Sequence, residues 1–229
     1  MPGIGETWHM GGVDVVTPEG PGELVLAQAD TPRAVLLLGH GAGGDVDGWD
    51  LALLASALPA SGISVLRYRQ PHRVAGRKLP GSTASLDRGW APALAAAREL
   101  GAGVPLFTGG HSAGARTACR GFGADQAGVV CLSFPLHPPG RPQKSRASEL
   151  AGVSGPVLVL QGSADAFGTP AEVLRALRDA GRIGVRLEEV PGANHSLAPA
   201  RNLPATRVSE REQIVVGAVS SLVNDVLRR

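Results

Sequence analysis

Short apolar runs alternate along the chain with stretches of helical spacing. Ala34–Leu38 is a continuous apolar run, as expected of a strand buried on both faces, and Ile63–Tyr68, Val104–Phe107, Gly128–Phe134, Val157–Leu160 and Val185–Val190 read as further strands. Between them, Trp49–Leu58, Leu86–Leu100, Ala113–Phe122, Pro170–Ala180 and Ser209–Leu227 read as helices. Pro59 stops the first helix, Pro92 is expected in or near the first turns of the second, and Thr169-Pro170 opens the fourth. Val13–Val16 and Glu23–Gln28 flank Pro18-Glu19-Gly20-Pro21-Gly22 and predict an antiparallel hairpin at a sheet edge. Arg69–Ser85 and Pro135–Gly155 read as long, basic, irregular segments. Repeated strand–helix alternation predicts the α/β class with a mostly parallel, doubly wound sheet. No repeat or linker divides the chain, so residues 1–229 are expected to form one domain.

Composition narrows the class without naming a function. The chain is 43% hydrophobic and 18% charged, which is globular, and only 3% aromatic, so Ala, Val and Leu must fill the core. A net charge of +2 gives no pull toward nucleic acid or an acidic membrane surface. Cys119 and Cys131 fall in a predicted helix and strand and read as small buried hydrophobes in a reducing compartment. Met1–Gly12 lacks the positive flank and apolar stretch of a signal peptide, and no run approaches membrane-spanning length, so a soluble cytoplasmic protein is expected. There is no His pair or Cys pair at metal-ligand spacing, no phosphate loop and no dinucleotide fingerprint, so neither metal nor cofactor is expected.

The chemistry concentrates at Gly110-His111-Ser112-Ala113-Gly114, between a predicted strand and a predicted helix. Strand, sharp turn and helix with G-x-S-x-G at the turn form a nucleophile elbow, which lifts the serine hydroxyl clear of the sheet. With 32 glycines in 229 residues the pattern alone is weak, and its placement carries the weight. A serine nucleophile needs a base, and the base an orienting carboxylate, in chain order Ser, Asp or Glu, His, on loops at the carboxyl ends of strands. His195 directly follows the Val185–Val190 strand, and Asp165 closely follows Val157–Leu160. His137 precedes the carboxylate candidate, and Asp125 and Asp179 fall at or in helices. The Ala113 amide and an amide of His40-Gly41-Ala42-Gly43-Gly44, Ala42 first and Gly41 next, are the expected oxyanion donors. Two basic segments, one with Arg67, Arg69, His72, Arg73, Arg77 and Lys78, the other with His137, Arg141, Lys144 and Arg146, leave carboxyl ends of strands. They either rim the site and bind an anionic substrate group or are solvated loops, and His40, Arg69, His72 and His137 are the candidate substrate contacts. Arg116, in the first turn of the elbow helix, opposes the helix dipole and serves a pocket, an interface or the plain surface.

These motifs give the sequence a family likeness. It resembles the α/β-hydrolases, and within them small dienelactone-hydrolase-like members without a large cap domain, in a mostly uncharacterised bacterial branch. The matching segments are LLLGHGAGG (36–44), GISVLRY (62–68), PLFTGGHSAG (105–114), VVCLSFPLHPPGRPQK (129–144), LVLQGSADAFGTP (158–170) and VPGANHSL (190–197). The resemblance implies a Ser112–Asp165–His195 triad and hydrolysis of a carboxylic ester. Dienelactone hydrolase itself carries cysteine where this chain has Ser112, so that particular activity is not implied, and Asn194 stands where related members often carry Asp. The expected partner is a small acyl substrate, and a homodimer through a sheet edge is compatible with the architecture. An acyltransferase, a peptidase and a non-catalytic binding protein on the same fold are the rival readings.

Overall fold

The computed structural model describes residues 12–229. Met1–Gly12, the stretch read as lacking a signal peptide, lies outside them except for Gly12. The sheet has eight strands: β1 (Gly12–Thr17), β2 (Gly20–Ala27), β3 (Ala34–Gly39), β4 (Ile63–Arg69), β5 (Leu106–His111), β6 (Gly128–Leu132), β7 (Val157–Gly162) and β8 (Arg186–Val190). Their spatial order is β1-β2-β4-β3-β5-β6-β7-β8. β3 to β8 run parallel, and the β1–β2 hairpin joins β4 antiparallel at one edge, as the sequence predicts. The helices are α1 (Trp49–Ala57), α2 (Pro71–Val74), α3 (Thr83–Leu100), α4 (Ala113–Arg120), α5 (Ala147–Ala151), α6 (Pro170–Asp179) and α7 (Ala205–Leu227). Among the described residues no large insertion caps the sheet, and no helix is long and apolar enough to cross a membrane.

Alternation along the strands builds two cores. Leu36, Leu38, Val130, Leu132, Leu158 and Leu160 pack on one face against α1 and α7, through Leu51, Leu54, Val215 and Val219. Val35, Leu37, Val129, Cys131, Val157 and Val159 pack on the other against α3, α4 and α6, through Trp90, Ala93, Ala118, Val173 and Leu177. Both faces of the central strands are therefore dry, which is why they read as unbroken apolar runs. At about 2 kcal/mol for each buried Leu or Val, these strands hold the frame on which the loops hang. Cys119 and Cys131 are buried and free, with their sulfurs 3.6 Å apart.

Three local readings change. The basic segment after β4 is shorter than expected, because α2 interrupts it and α3 begins at Thr83: Ser82 caps the helix and exchanges hydrogen bonds with Ser85. Pro92 consequently sits in the interior of the 18-residue α3, not in its first turns. Its half-buried position leaves the Arg88 carbonyl without its i+4 donor, and the helix continues. The excursion after β6 contains α5, which docks on the elbow helix: Arg116 donates two hydrogen bonds to Glu149, at 2.7 and 2.6 Å, and Arg120 bridges Glu149 and Asp87. Arg116 therefore ties α4 to α5.

Candidate active site

At the carboxyl end of β5 the chain turns sharply into α4. Ser112 occupies the turn with φ 50° and ψ −109°, a strained conformation for a residue with a side chain. The turn closes because Gly110 and Gly114 have no Cβ: at either position a Cβ would overlap the Gly39 carbonyl oxygen at the end of β3. The elbow thus rests directly on the strand that leads into the glycine-rich loop at 40–44.

His195 and Asp165 come to this serine from distant segments. His195 Nε2 lies 2.8 Å from Ser112 Oγ, and His195 Nδ1 lies 2.8 Å from Asp165 Oδ2 and 3.1 Å from Oδ1. With Nδ1–H donating to the carboxylate, Nε2 is left to accept the serine proton. Asp165 is 2% exposed and also accepts from the Phe167 amide at 2.8 Å and the Gln161 side-chain amide at 2.9 Å. The Phe167 ring stacks on the His195 imidazole at 4.1 Å between centroids. The two loops are laced together: Ala164 N–H donates to Ala193 O, and Ser163 N–H to Val190 O. Buried Arg211, from α7, donates to the carbonyls of Pro191, Leu197 and Ala198 and braces the segment carrying His195. Gln161, Phe167 and Arg211 were not anticipated in these supporting roles. Phe167 and Gln161 were at hand in the motif around Asp165, but nothing in the spacing marks Arg211.

The glycine-rich loop expected to supply an oxyanion donor follows β3. The amides of Ala42 and Ala113 donate to no group among the described residues, which leaves them free for an anionic oxygen. The loop is held from the β4 side. Gln70 N–H donates to His40 Nε2 at 3.1 Å, the Gln70 side chain donates to His40 O, and His40 Nδ1 donates to Gly41 O at 2.7 Å. His72 Nε2 donates to Ala42 O at 3.1 Å. Arg69 pairs with Asp45 at 3.0 Å and with Glu23, Arg73 with Asp45 at 3.3 Å, and Arg67 with Asp47 at 3.1 Å. Of the expected substrate contacts, His40 and His72 are engaged by Gln70 and by backbone carbonyls of this loop, and Arg69 by Asp45 on the loop and Glu23 on β2. His137 is buried beside Glu172 and Arg175, donates from Nδ1 to Pro138 O, and has no hydrogen bond to Ser112, Asp165 or His195.

The clamp has a pH signature. Burial pushes the His40 pKa down to about 4 from 6.5, with the His72 ring adding to the shift against the opposing Gly41 carbonyl. A folded value below the unfolded one means the contribution is complete above pH 6.5 and is lost as pH falls toward 4, where the proton must displace the Gln70 amide from Nε2. The shift corresponds to about 3 kcal/mol. In urea unfolding at pH 7.5 and pH 4.5, His40→Asn is expected to lose less stability over the interval than the wild type. Equal losses would contradict a neutral, buried His40.

One polar pair near the serine was not foreseen. His111 Nδ1 lies 2.7 Å from Asp50 Oδ2, and the His111 ring centroid is 5.3 Å from that of His195. His111 was visible inside the elbow motif, but Asp50 belongs to a predicted helix far upstream, and no spacing links them.

Known proteins share this frame. Residues 32–223 match the family model described as "Alpha/beta hydrolase domain". An alpha-beta serine hydrolase homologue from Coxiella burnetii superposes with a TM-score of 0.73 at 15% identity, covering 94% of this chain and 99% of that one. Est1E from Butyrivibrio proteoclasticus gives 0.73 at 13% identity, covering 96% and 100%. XC6422 from Xanthomonas campestris, described as an a/b serine hydrolase without lid, gives 0.67 at 18% identity, covering 98% and 97%.

Proposed function

The chain belongs to the alpha/beta hydrolase domain family, and on that premise we propose that it is a serine hydrolase that cleaves a small carboxylic ester or related acyl compound through an acyl-enzyme. The observation that carries the proposal is the unbroken chain Ser112 Oγ–His195 Nε2, His195 Nδ1–Asp165 Oδ2, with both distances 2.8 Å. His195 takes the Ser112 proton as Oγ attacks the carbonyl carbon, and Asp165 holds the tautomer and stabilises the imidazolium. The Ala113 and Ala42 amides receive the developing oxyanion. His195 then gives the proton to the leaving alcohol, and a water deprotonated by His195 releases the acid and restores Ser112. A dienelactone-hydrolase-like ancestry belongs to the same proposal and rests on the sequence segments between 36 and 197. Acyl transfer or peptide cleavage would use the same groups with a different acceptor or leaving group.

A panel of short p-nitrophenyl esters, thioesters and lactones tests the proposal. At least one is expected to turn over with the wild type and to fall to background with Ser112→Ala. No turnover anywhere on the panel, or equal rates for the two proteins, would contradict it.

A further inference from the structure

A second imidazole–carboxylate pair stands beside the first. His111 ends β5 and immediately precedes Ser112. Its Nδ1 meets Asp50, a residue 3% exposed in the first turn of α1, which also accepts the Leu51 amide at 3.0 Å. The opposite edge of the His111 ring faces the site: a Cβ on Gly41 would lie 3.0 Å from His111 Cδ2, 3.8 Å from His111 Nε2 and 3.5 Å from Ser112 Cβ. That Nε2 has no hydrogen bond among the described residues, and the side chain is 17% exposed. The charged and titratable groups facing His111 are Asp50 from α1, Asp165 from the loop after β7 and His195 from the loop after β8, while the oxyanion loop faces it with Gly41.

We propose that His111, held by Asp50, is a positioning residue for the reaction: charge on its imidazole opposes charge on His195, so the pair decides in which proton state His195 can accept the Ser112 proton. The inference rests on the proposed serine-hydrolase reading. Across 5.3 Å between ring centroids, a positive charge on one imidazole repels a positive charge on the other. In the transition state His195 is an imidazolium, and a second positive ring at that distance disfavours it. Burial by itself would lower the His111 pKa, but the Asp50 carboxylate bonded to it, with Asp165 further off, carries it above the ordinary histidine value. His111 thus takes up a proton readily as pH falls. The acid limb of the rate profile is then set by the first proton to arrive on either ring.

Two readouts separate this from a purely structural role. In His111→Gln the acid limb of kcat/KM is expected to move to lower pH, so that the variant-to-wild-type ratio rises as pH falls from 8 to 5.5. In the same variant the His195 ring resonance, followed by NMR in isotopically labelled protein, is expected to titrate at higher pH than in the wild type. A rate limb moving down while the His195 titration moves up is the signature of coupling. Asp50→Asn, which removes the group that favours the His111 proton, is expected to move both in the same senses and serves if His111→Gln does not fold. A ratio constant across pH, or an unmoved His195 titration in the folded variant, overturns the inference even if the enzyme turns over. A wild type with no turnover and no labelling by a fluorophosphonate overturns the hydrolase reading instead, and the NMR titration still decides whether the two rings are coupled.

Discussion

His195→Ala is expected to cost about 10⁴-fold or more in kcat/KM on the best ester of a short-chain panel, Ser112→Ala about as much, and the double variant little more. The reason lies in the geometry. In the proposed mechanism the 2.8 Å contact between Nε2 and Oγ joins base and nucleophile, so removing either disables the same step. What survives is the contribution of the free Ala42 and Ala113 amides and of substrate binding, which neither substitution touches. The side chain of His195 is about one-fifth exposed, so its removal opens no deep cavity, and the variants are expected to melt close to the wild type. Steady-state kinetics on the three proteins, with unfolding curves alongside, makes the comparison. Losses that multiply, with the double variant falling by the product of the two, would mean that the residues act separately.

Gly114→Ala is expected to destabilise the fold by about 3 kcal/mol or more, among the largest effects of any alanine substitution in the chain. Its Cβ would overlap the Gly39 carbonyl oxygen and come within 3.0 Å of the His40 carbonyl oxygen. Both are backbone atoms, at the end of β3 and the start of the oxyanion loop, so no side chain can turn aside. Relief requires α4 to move off the sheet, and that would also displace the Ala113 amide from Ala42. Gly217 is the natural control. It lies exposed within α7, nothing is within 4 Å of an added Cβ, and Gly217→Ala should stabilise by up to about 1 kcal/mol through helix propensity alone. Opposite signs for the two substitutions in thermal or urea unfolding are the expected result. A Gly114→Ala protein as stable as the wild type would mean that the elbow does not pack on β3 as described.

Much of this architecture is legible from residue order because burial leaves a one-dimensional trace. Leu36, Leu37 and Leu38 read as a doubly buried strand because both faces of β3 are in fact covered. The elbow motif locates Ser112, and the fold's chain order then leaves one histidine and one aspartate at suitable strand ends. The polar partnerships leave no such trace. Asp45 lies opposite Arg69 and Arg73 only because β3 and β4 run side by side and their carboxyl ends meet. Three arginines of a basic run that looks like an anion site, Arg67, Arg69 and Arg73, are therefore paired with acids on a neighbouring loop. Asp50 and His111, and Arg211 and the loop after β8, are joined by the same route, through strand order and helix packing rather than through spacing. The interior place of Pro92 is hidden for a different reason: the cap at Ser82 extends α3 backwards through residues whose composition reads as loop.

Everything chemical here depends on Ser112 being a nucleophile activated by His195. Intact-protein and peptide mass spectrometry after treatment with a fluorophosphonate tests that most directly. A single adduct is expected, on the peptide bearing Ser112, formed slowly in His195→Ala and absent in Ser112→Ala. An unmodified wild type, or an adduct on another residue that persists in Ser112→Ala, would contradict it.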